Sequence, residues 1–152
     1  MPLFHTSGCG MVTLGCLTSK CRMILTSFFD PEKILNHIKD FDVDIILGVP
    51  TMILSILEQQ EKQKHKINSL NLVSCGGSNV APEMVKRVQK EFNCKFSTLY
   101  GQTEYCPVIT QHHNNDSIED ICNTIGQRIS HTEVSIRTVS YTHLRAHETK
   151  TD

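Results

Sequence analysis

The chain has no excess of charge of either sign: fifteen Lys and Arg stand against sixteen Asp and Glu over 152 residues, a net charge of −1. No whole-chain field therefore exists to recruit nucleic acid or an anionic lipid surface. It also lacks any C-x-x-C pair. Cys9, Cys16, Cys21, Cys75, Cys94, Cys106 and Cys122 are odd in number and irregular in spacing, which favours reduced thiols over a disulfide framework or a zinc site. His112 and His113 do not supply missing ligands, because adjacent residues rarely aim both rings at one ion. No apolar run reaches the roughly 18 residues that a membrane-spanning helix needs. Residues Met1–Gly10 carry neither the basic start nor the long apolar stretch of a secretory signal. There is no internal repeat. These absences leave a soluble chain in a reducing compartment, read as the cytoplasm.

What is present suits one domain or part of one. At 39% hydrophobic and 20% charged, the composition excludes a disordered chain, and the length is enough to bury a true core. Arg22–Leu25 reads as a short strand. Asp30 followed by Pro31 supplies an N-cap and a first-turn proline, and Ile34, Leu35, Ile38 and Phe41 recur at helical spacing. Asp44–Val49 is a continuous aliphatic run, the pattern of a strand covered on both faces. Pro50 opens a helix whose apolar positions are Met52, Ile53, Ile56 and Leu57, ending in the polar stretch Glu58–Lys66. Leu70–Cys75 reads as a strand, Ala81–Phe92 as a helix and Lys95–Tyr100 as a strand. Gln111–Asp120 reads as a surface loop and Thr132–Arg137 as a half-exposed strand. Alternating strands and helices predict an α/β fold, a mostly parallel sheet with flanking helices.

Ligands of such sheets gather at the carboxyl ends of strands. That rule singles out Gly48–Thr51, Cys75–Asn79 and Tyr100–Glu104, each directly after a predicted strand. Tyr100-Gly101-Gln102-Thr103-Glu104 combines an aromatic plane, a flexible glycine, a hydroxyl and a carboxylate. Each suits a nucleotide: stacking on a base, close backbone approach to a phosphate, a bond to a phosphate oxygen, and a hard ligand for magnesium. The same five residues also fit a plain strand-to-loop turn with a solvated glutamate. Cys75-Gly76-Gly77-Ser78 lets backbone pass close to a flat ligand, yet paired glycines after a strand are commonly just a turn. His5 in Pro2-Leu3-Phe4-His5 is equally open to a structural role.

Taken together and in order, these motifs resemble the adenylate-forming enzymes, which include acyl-CoA synthetases, aryl-CoA ligases, luciferases and peptide-synthetase adenylation domains. The resemblance runs from Pro2 to about Arg137. It rests on P-L-F-H at 2–5, F-D-P-E at 29–32, G-V-P-T-M at 48–52, C-G-G-S at 75–78, Y-G-Q-T-E at 100–104 and T-I-G-Q at 124–127. The resemblance implies that Tyr100 stacks on adenine, Thr103 contacts the α-phosphate and Glu104 ligates magnesium, with Gly101 and Gln102 completing the nucleotide-contacting turn. It implies that Gly76, Gly77 and Ser78 line the adenine and acyl pocket, that His5 stands beside the substrate carboxylate, and that Gly48–Met52 wall the acyl site. The implied reaction is attack of a small-molecule carboxylic acid on the α-phosphate of ATP, giving an acyl-adenylate and pyrophosphate, then capture by the thiol of coenzyme A.

Parts of the family pattern fall outside this sequence: the Ser/Thr/Gly-rich phosphate loop, the ribose-binding aspartate, and the small domain with its catalytic lysine. The expectation is thus an internal piece, residues 1–139, of the large N-terminal domain of an acyl-CoA synthetase, inactive by itself. Gln127-Arg128 departs from the family, which has proline after the G-x pair. Residues 140–149, S-Y-T-H-L-R-A-H-E-T, resemble translated sequencing-library adapter, so Ser140–Asp152 is read as a non-native tail. The alternatives are an aryl-CoA ligase, an amino-acid adenylation domain or a non-catalytic nucleotide-binding fragment. With both true termini outside the sequence, a mitochondrial or peroxisomal address stays open.

Overall fold

The computed structural model describes residues 1–136. Strands β1 (Ile45–Gly48), β2 (Leu72–Gly76) and β3 (Lys95–Tyr100) pair in parallel, joined by helices α3 (Pro50–Gln63) and α4 (Pro82–Phe92). Two short strands, β4 (Thr110–Gln111) and β5 (Gln127–Arg128), extend the sheet antiparallel from β3. The sheet order is β1-β2-β3-β4-β5. The architecture is the mostly parallel α/β sheet with flanking helices that the alternation predicts.

Helix α2 (Pro31–Asp40) packs on α3, α3 on α4, and α4 on α5 (Ile118–Asn123), so the helices lie side by side in one layer. Their apolar stripes meet the sheet in a single core. Leu35 and Ile38, Ile53, Ile56 and Leu57, and Met84, Val85, Val88 and Phe92 close over Val73, Cys75 and Phe96. Side chains alternate across a strand, so the register partners Val73 and Phe96 share the helix face, and Ser74 and Ser97 share the other. On that second face the Ser97 hydroxyl donates to the His112 carbonyl at 2.9 Å, whereas the buried Ser74 hydroxyl has no partner among the described residues. Ile45, on the same face as Ser74 and Ser97 by strand alternation, is 54% exposed.

Local chemistry sets the helix ends. The Asp30 carboxylate accepts from the Glu32 and Lys33 amides at 3.0 and 3.2 Å, and Pro31, Pro50 and Pro82 occupy first-turn positions, where a missing N–H costs nothing. Lys64 and Asn93 end α3 and α4 in the left-handed conformation. Arg87 donates to both carboxylate oxygens of Glu61 at 3.2 and 2.9 Å. That exposed pair spans α3 and α4 and adds little stability.

Three expectations need correction. Arg22–Leu25 is not a strand; among the described residues no strand pairs with it, and the Arg22 guanidinium instead donates to the Phe41 carbonyl and lies 5.7 Å from the Phe41 ring centre. Thr132–Ile136 is irregular rather than a half-exposed strand, with Thr132 buried and held by the Tyr105 hydroxyl at 3.2 Å. Gln111–Asp120 is not wholly a surface loop, because Gln111 is in β4, His112 is buried and Ile118 begins α5. The wide π-type turns Ser7–Thr13, which run into helix α1 (Leu14–Ser19), are an element the periodicity did not indicate. Arg137 and the Ser140–Asp152 tail lie outside the described residues. Among those described, no helix is long and apolar enough to cross a membrane.

The cap on α2 is directly testable. Asp30→Ala removes the acceptor for both amides and should cost about 1 kcal/mol in urea unfolding. Asp40→Ala, at the other end of the same helix, should be neutral or slightly stabilising, because it removes a negative charge from the negative end of the helix dipole.

Candidate functional site

Because β1, β2 and β3 are parallel and in register, Gly48 opposite Cys75 and Gly76 opposite Leu99, their carboxyl ends share one edge of the sheet. The three turns singled out in the sequence leave from that edge. In the second, Gly76 is buried while Gly77, Ser78 and Asn79 are exposed. Gly77 has φ +92°, in the left-handed region where a side chain is strained, and a Cβ there would lie 3.5 Å from Val49 of the first turn. Glycine is favoured here by its φ, and the turn lies within contact distance of the first. Cys75 just before it is pushed up to about 12 by burial, so its thiol is a core group and not a nucleophile at neutral pH.

The third turn is the most open. Tyr100 is 37% exposed, and its hydroxyl accepts a hydrogen bond from Gln102 Nε2 at 2.7 Å. Thr103–Tyr105 forms a single 3-10 turn closed by Tyr105 N–H to Gln102 O and Cys106 N–H to Thr103 O. Thr103 and Glu104 are exposed, and among the described residues neither side chain joins a hydrogen bond or an ion pair. Gly101 is obligatory here: a Cβ would stand 1.6 Å from the Pro107 carbonyl oxygen. The chain therefore doubles back tightly, with the Ile109 amide donating to the Tyr100 carbonyl at 2.9 Å.

His5 is exposed, its Nδ1 accepting from the Ser7 amide at 3.1 Å, and it makes no hydrogen bond to residues 100–104. The helical segment it precedes does approach that turn, since a Cβ on Gly10 would lie 3.5 Å from both Cys106 Sγ and Pro107 Cδ. The structure thus brings together the turns at Gly76–Ser78 and Gly48–Thr51, and sets Tyr100–Glu104 on the same edge. It leaves His5 turned toward its own backbone.

His112, rejected as a metal ligand and read within a surface loop from the sequence, is buried. Its Nδ1 lies 2.6 Å from Thr98 Oγ1 and its Nε2 lies 2.8 Å from Thr124 Oγ1. Thr124 Oγ1 donates to the Asp120 carbonyl at 2.9 Å, so it accepts from Nε2–H, and Thr98 Oγ1 sits between Nδ1 and the Ile121 carbonyl, 3.5 Å from the latter. His112 thereby joins β3, two residues before Tyr100, to the T-I-G-Q turn. The signal was the buried-type pattern Thr110-Gln111-His112 facing two threonines across elements, which spacing alone does not display.

The family described as AMP-binding enzyme matches residues 1–146. The chain belongs to the AMP-binding enzyme family. A relative from Bacillus subtilis (strain 168), named putative acyl-CoA synthetase YngI, is 34% identical over 137 residues, covering 90% of this chain and 25% of that protein. The human mitochondrial medium-chain acyl-CoA ligase ACSF2 is 31% identical over 137 residues, 89% of this chain and 22% of that protein. The solved structure of O-succinylbenzoate coenzyme A synthetase from Bacillus subtilis, in complex with ATP and magnesium, superposes with a TM-score of 0.82 over 97% of this chain and 30% of that one, at 23% identity. The chain thus spans about a quarter of the length of its curated relatives, and the fold likeness extends through nearly all of it.

For an AMP-binding enzyme the donor set at this edge is suitable. Among the described residues no three His, Cys, Asp or Glu side chains gather as a metal cluster, but magnesium usually keeps its waters and takes only one or two carboxylates besides substrate phosphates. Glu104 is a free, exposed carboxylate of that kind. The tight turn beneath it can be checked: Gly101→Ala should lower stability by roughly 1–3 kcal/mol in thermal unfolding, since backbone must move. Gly15→Ala in α1, where a Cβ meets nothing within 4 Å, should be neutral or stabilising.

Proposed function

We propose that the protein of which this chain is a part is an ATP-dependent acyl-CoA ligase acting on a fatty or other hydrophobic carboxylic acid. The observation that carries the reading is the Tyr100–Glu104 turn, whose half-exposed ring and unpaired carboxylate stand at the carboxyl edge of the parallel strands. The names of the relatives, acyl-CoA synthetase and acyl-CoA ligase, support the same class.

In this reading Tyr100 offers its ring to adenine, and Gln102 holds that ring through its hydroxyl. Thr103 donates to an α-phosphate oxygen, Glu104 holds magnesium, and Gly76, Gly77 and Ser78 line the adenine and acyl pocket with backbone. His5 stands beside the substrate carboxylate, which requires its ring to turn away from the Ser7 amide. Magnesium, when bound, neutralises charge on the phosphates as the carboxylate attacks. The protein's share is fixed positioning and preorganised donors, which stabilise developing charge without reorganising. An acyl-adenylate and pyrophosphate form first, and coenzyme A then takes the acyl group as a thioester. The reading assigns residues 1–139 to the adenylation domain and the cytoplasm to the protein.

ATP–pyrophosphate exchange on the longer protein with a panel of acids tests the reading. Exchange with medium- or long-chain fatty acids is the expected outcome, and exchange confined to amino acids or aryl acids overturns it in favour of an adenylation domain or an aryl-CoA ligase. Glu104→Ala should slow exchange by roughly 100-fold or more, the scale on which one fixed electrostatic group matters. An unchanged rate would remove Glu104 as the magnesium ligand. The 152-residue chain by itself should form no thioester, because it spans about a quarter of its relatives; measurable thioester from it would show that the site is complete within these residues.

A further inference from the structure

Helix α1 ends in a cap that sets two thiols side by side. Lys20 adopts the left-handed conformation at φ 53°, its N–H bonds the Leu17 carbonyl at 3.2 Å, and the Cys21 N–H bonds the Cys16 carbonyl at 3.0 Å. This pair of bonds is the Schellman ending, in which the residue following the left-handed one comes back beside the residue five positions before it. Here both positions are cysteine. The Cys21 side chain stands near enough to push the Cys16 thiol up, Cys21 is exposed and Cys16 half-buried, and neither is in a disulfide.

The other thiols of the chain stand differently. Burial pushes Cys75 up to about 12 and Cys94 up to about 11, which keeps these two protonated and out of exchange chemistry, and it raises Cys122 as well. Cys9 and Cys106 are exposed and serve as built-in comparators for a thiol reached by solvent.

We propose that Cys16 and Cys21 form a dithiol site at the end of α1 that reacts with a small-molecule disulfide and closes to a Cys16–Cys21 bridge. The Cys21 thiolate attacks one sulfur of the reagent; the reagent's S–S bond breaks, a mixed disulfide forms on Cys21, and one small thiolate leaves. The Cys16 thiolate then attacks the Cys21 sulfur, the mixed disulfide breaks, and the second small thiolate leaves. The two cysteine protons end on the two small thiols, so one disulfide is reduced as the cysteine pair is oxidised. Burial and the neighbouring Cys21 push Cys16 up, which lowers its thiolate fraction, so the second step depends on proximity, contact with the target replacing a diffusive encounter. The cap supplies the geometry that makes this pair different from any two surface cysteines, since a bridge forms only between backbones already held close.

The test is treatment of the 152-residue chain with oxidised glutathione, an acid quench, and tryptic peptide mapping without reduction. Cleavage after Lys20 separates the two cysteines, so the bridge appears as Cys21-Arg22 linked to the peptide 1–20. Fragmentation of that linked pair distinguishes Cys16 from Cys9 on the same peptide, and the exposed-site variant Cys9→Ser gives the same answer independently. The expected result is a Cys16–Cys21 link exceeding the glutathione adduct of either residue by about tenfold or more, with Cys16→Ser leaving Cys21 trapped as its glutathione adduct. A link from Cys21 to Cys9 or Cys106, or stable glutathione adducts on both Cys16 and Cys21 without a link, overturns the proposal. So does consumption of Cys21 no faster than that of Cys9 and Cys106. The outcome is independent of whether the longer protein is an acyl-CoA ligase.

Discussion

The in-register parallel pairing of β1, β2 and β3 underlies the arrangement of the whole candidate site. It is held from one side, where α3 and α4 press Ile53, Leu57, Val85 and Val88 onto Val73, Cys75 and Phe96. Slipping any strand by one residue would turn these side chains to the far face and lose that burial, so the core and the register are one constraint. The same register sets Gly48, Gly76 and Tyr100 at a common edge. The site is therefore positioned by apolar packing some distance from any of its polar groups.

A second constraint ties together motifs that are far apart in sequence. Y-G-Q-T-E at 100–104 and T-I-G-Q at 124–127 flank the antiparallel extension, and β4 pairs with the strand preceding one and the strand ending the other. The Thr110 hydroxyl donates to the Ile125 carbonyl, His112 bridges Thr98 and Thr124, and Gly126 takes φ +76° where a Cβ would meet the Gln111 backbone at 2.4 Å. Each contact is short-range in space and long-range along the chain. These contacts join the two motifs while the side chains of Tyr100, Gln102, Thr103 and Glu104 stay exposed.

Much of this was legible from spacing. The α2, α3 and α4 helices follow from their apolar periodicity and first-turn prolines, β1 from an uninterrupted aliphatic run, and the three loops from the rule that ligands gather beyond strand ends. Where reading failed, pairing decided: Arg22–Leu25 and Thr132–Ile136 have strand-like side chains but, among the described residues, no neighbouring ladder, and so remain irregular. The opposite failure occurred at Gln111–Asp120, where a polar stretch is drawn into the fold because His112 finds hydroxyl partners on both sides. A buried polar group is favourable only when such partners exist, and no single segment reveals them.

The sequence by itself determined the kinds of elements, the order of the nucleotide-type motifs and the family to which the chain belongs, because apolar periodicity, caps and motif spacing are local and survive without knowledge of contacts. Only the tertiary structure decided that the Gly77 turn lies against Val49, that Gly101 is required by the Pro107 backbone, that His112 links two motifs, and that the left-handed Lys20 returns the Cys21 amide to the Cys16 carbonyl. Each of these depends on what a distant residue, or a backbone turned through an unusual angle, places within a few ångströms, and that is settled only when the chain has closed on itself.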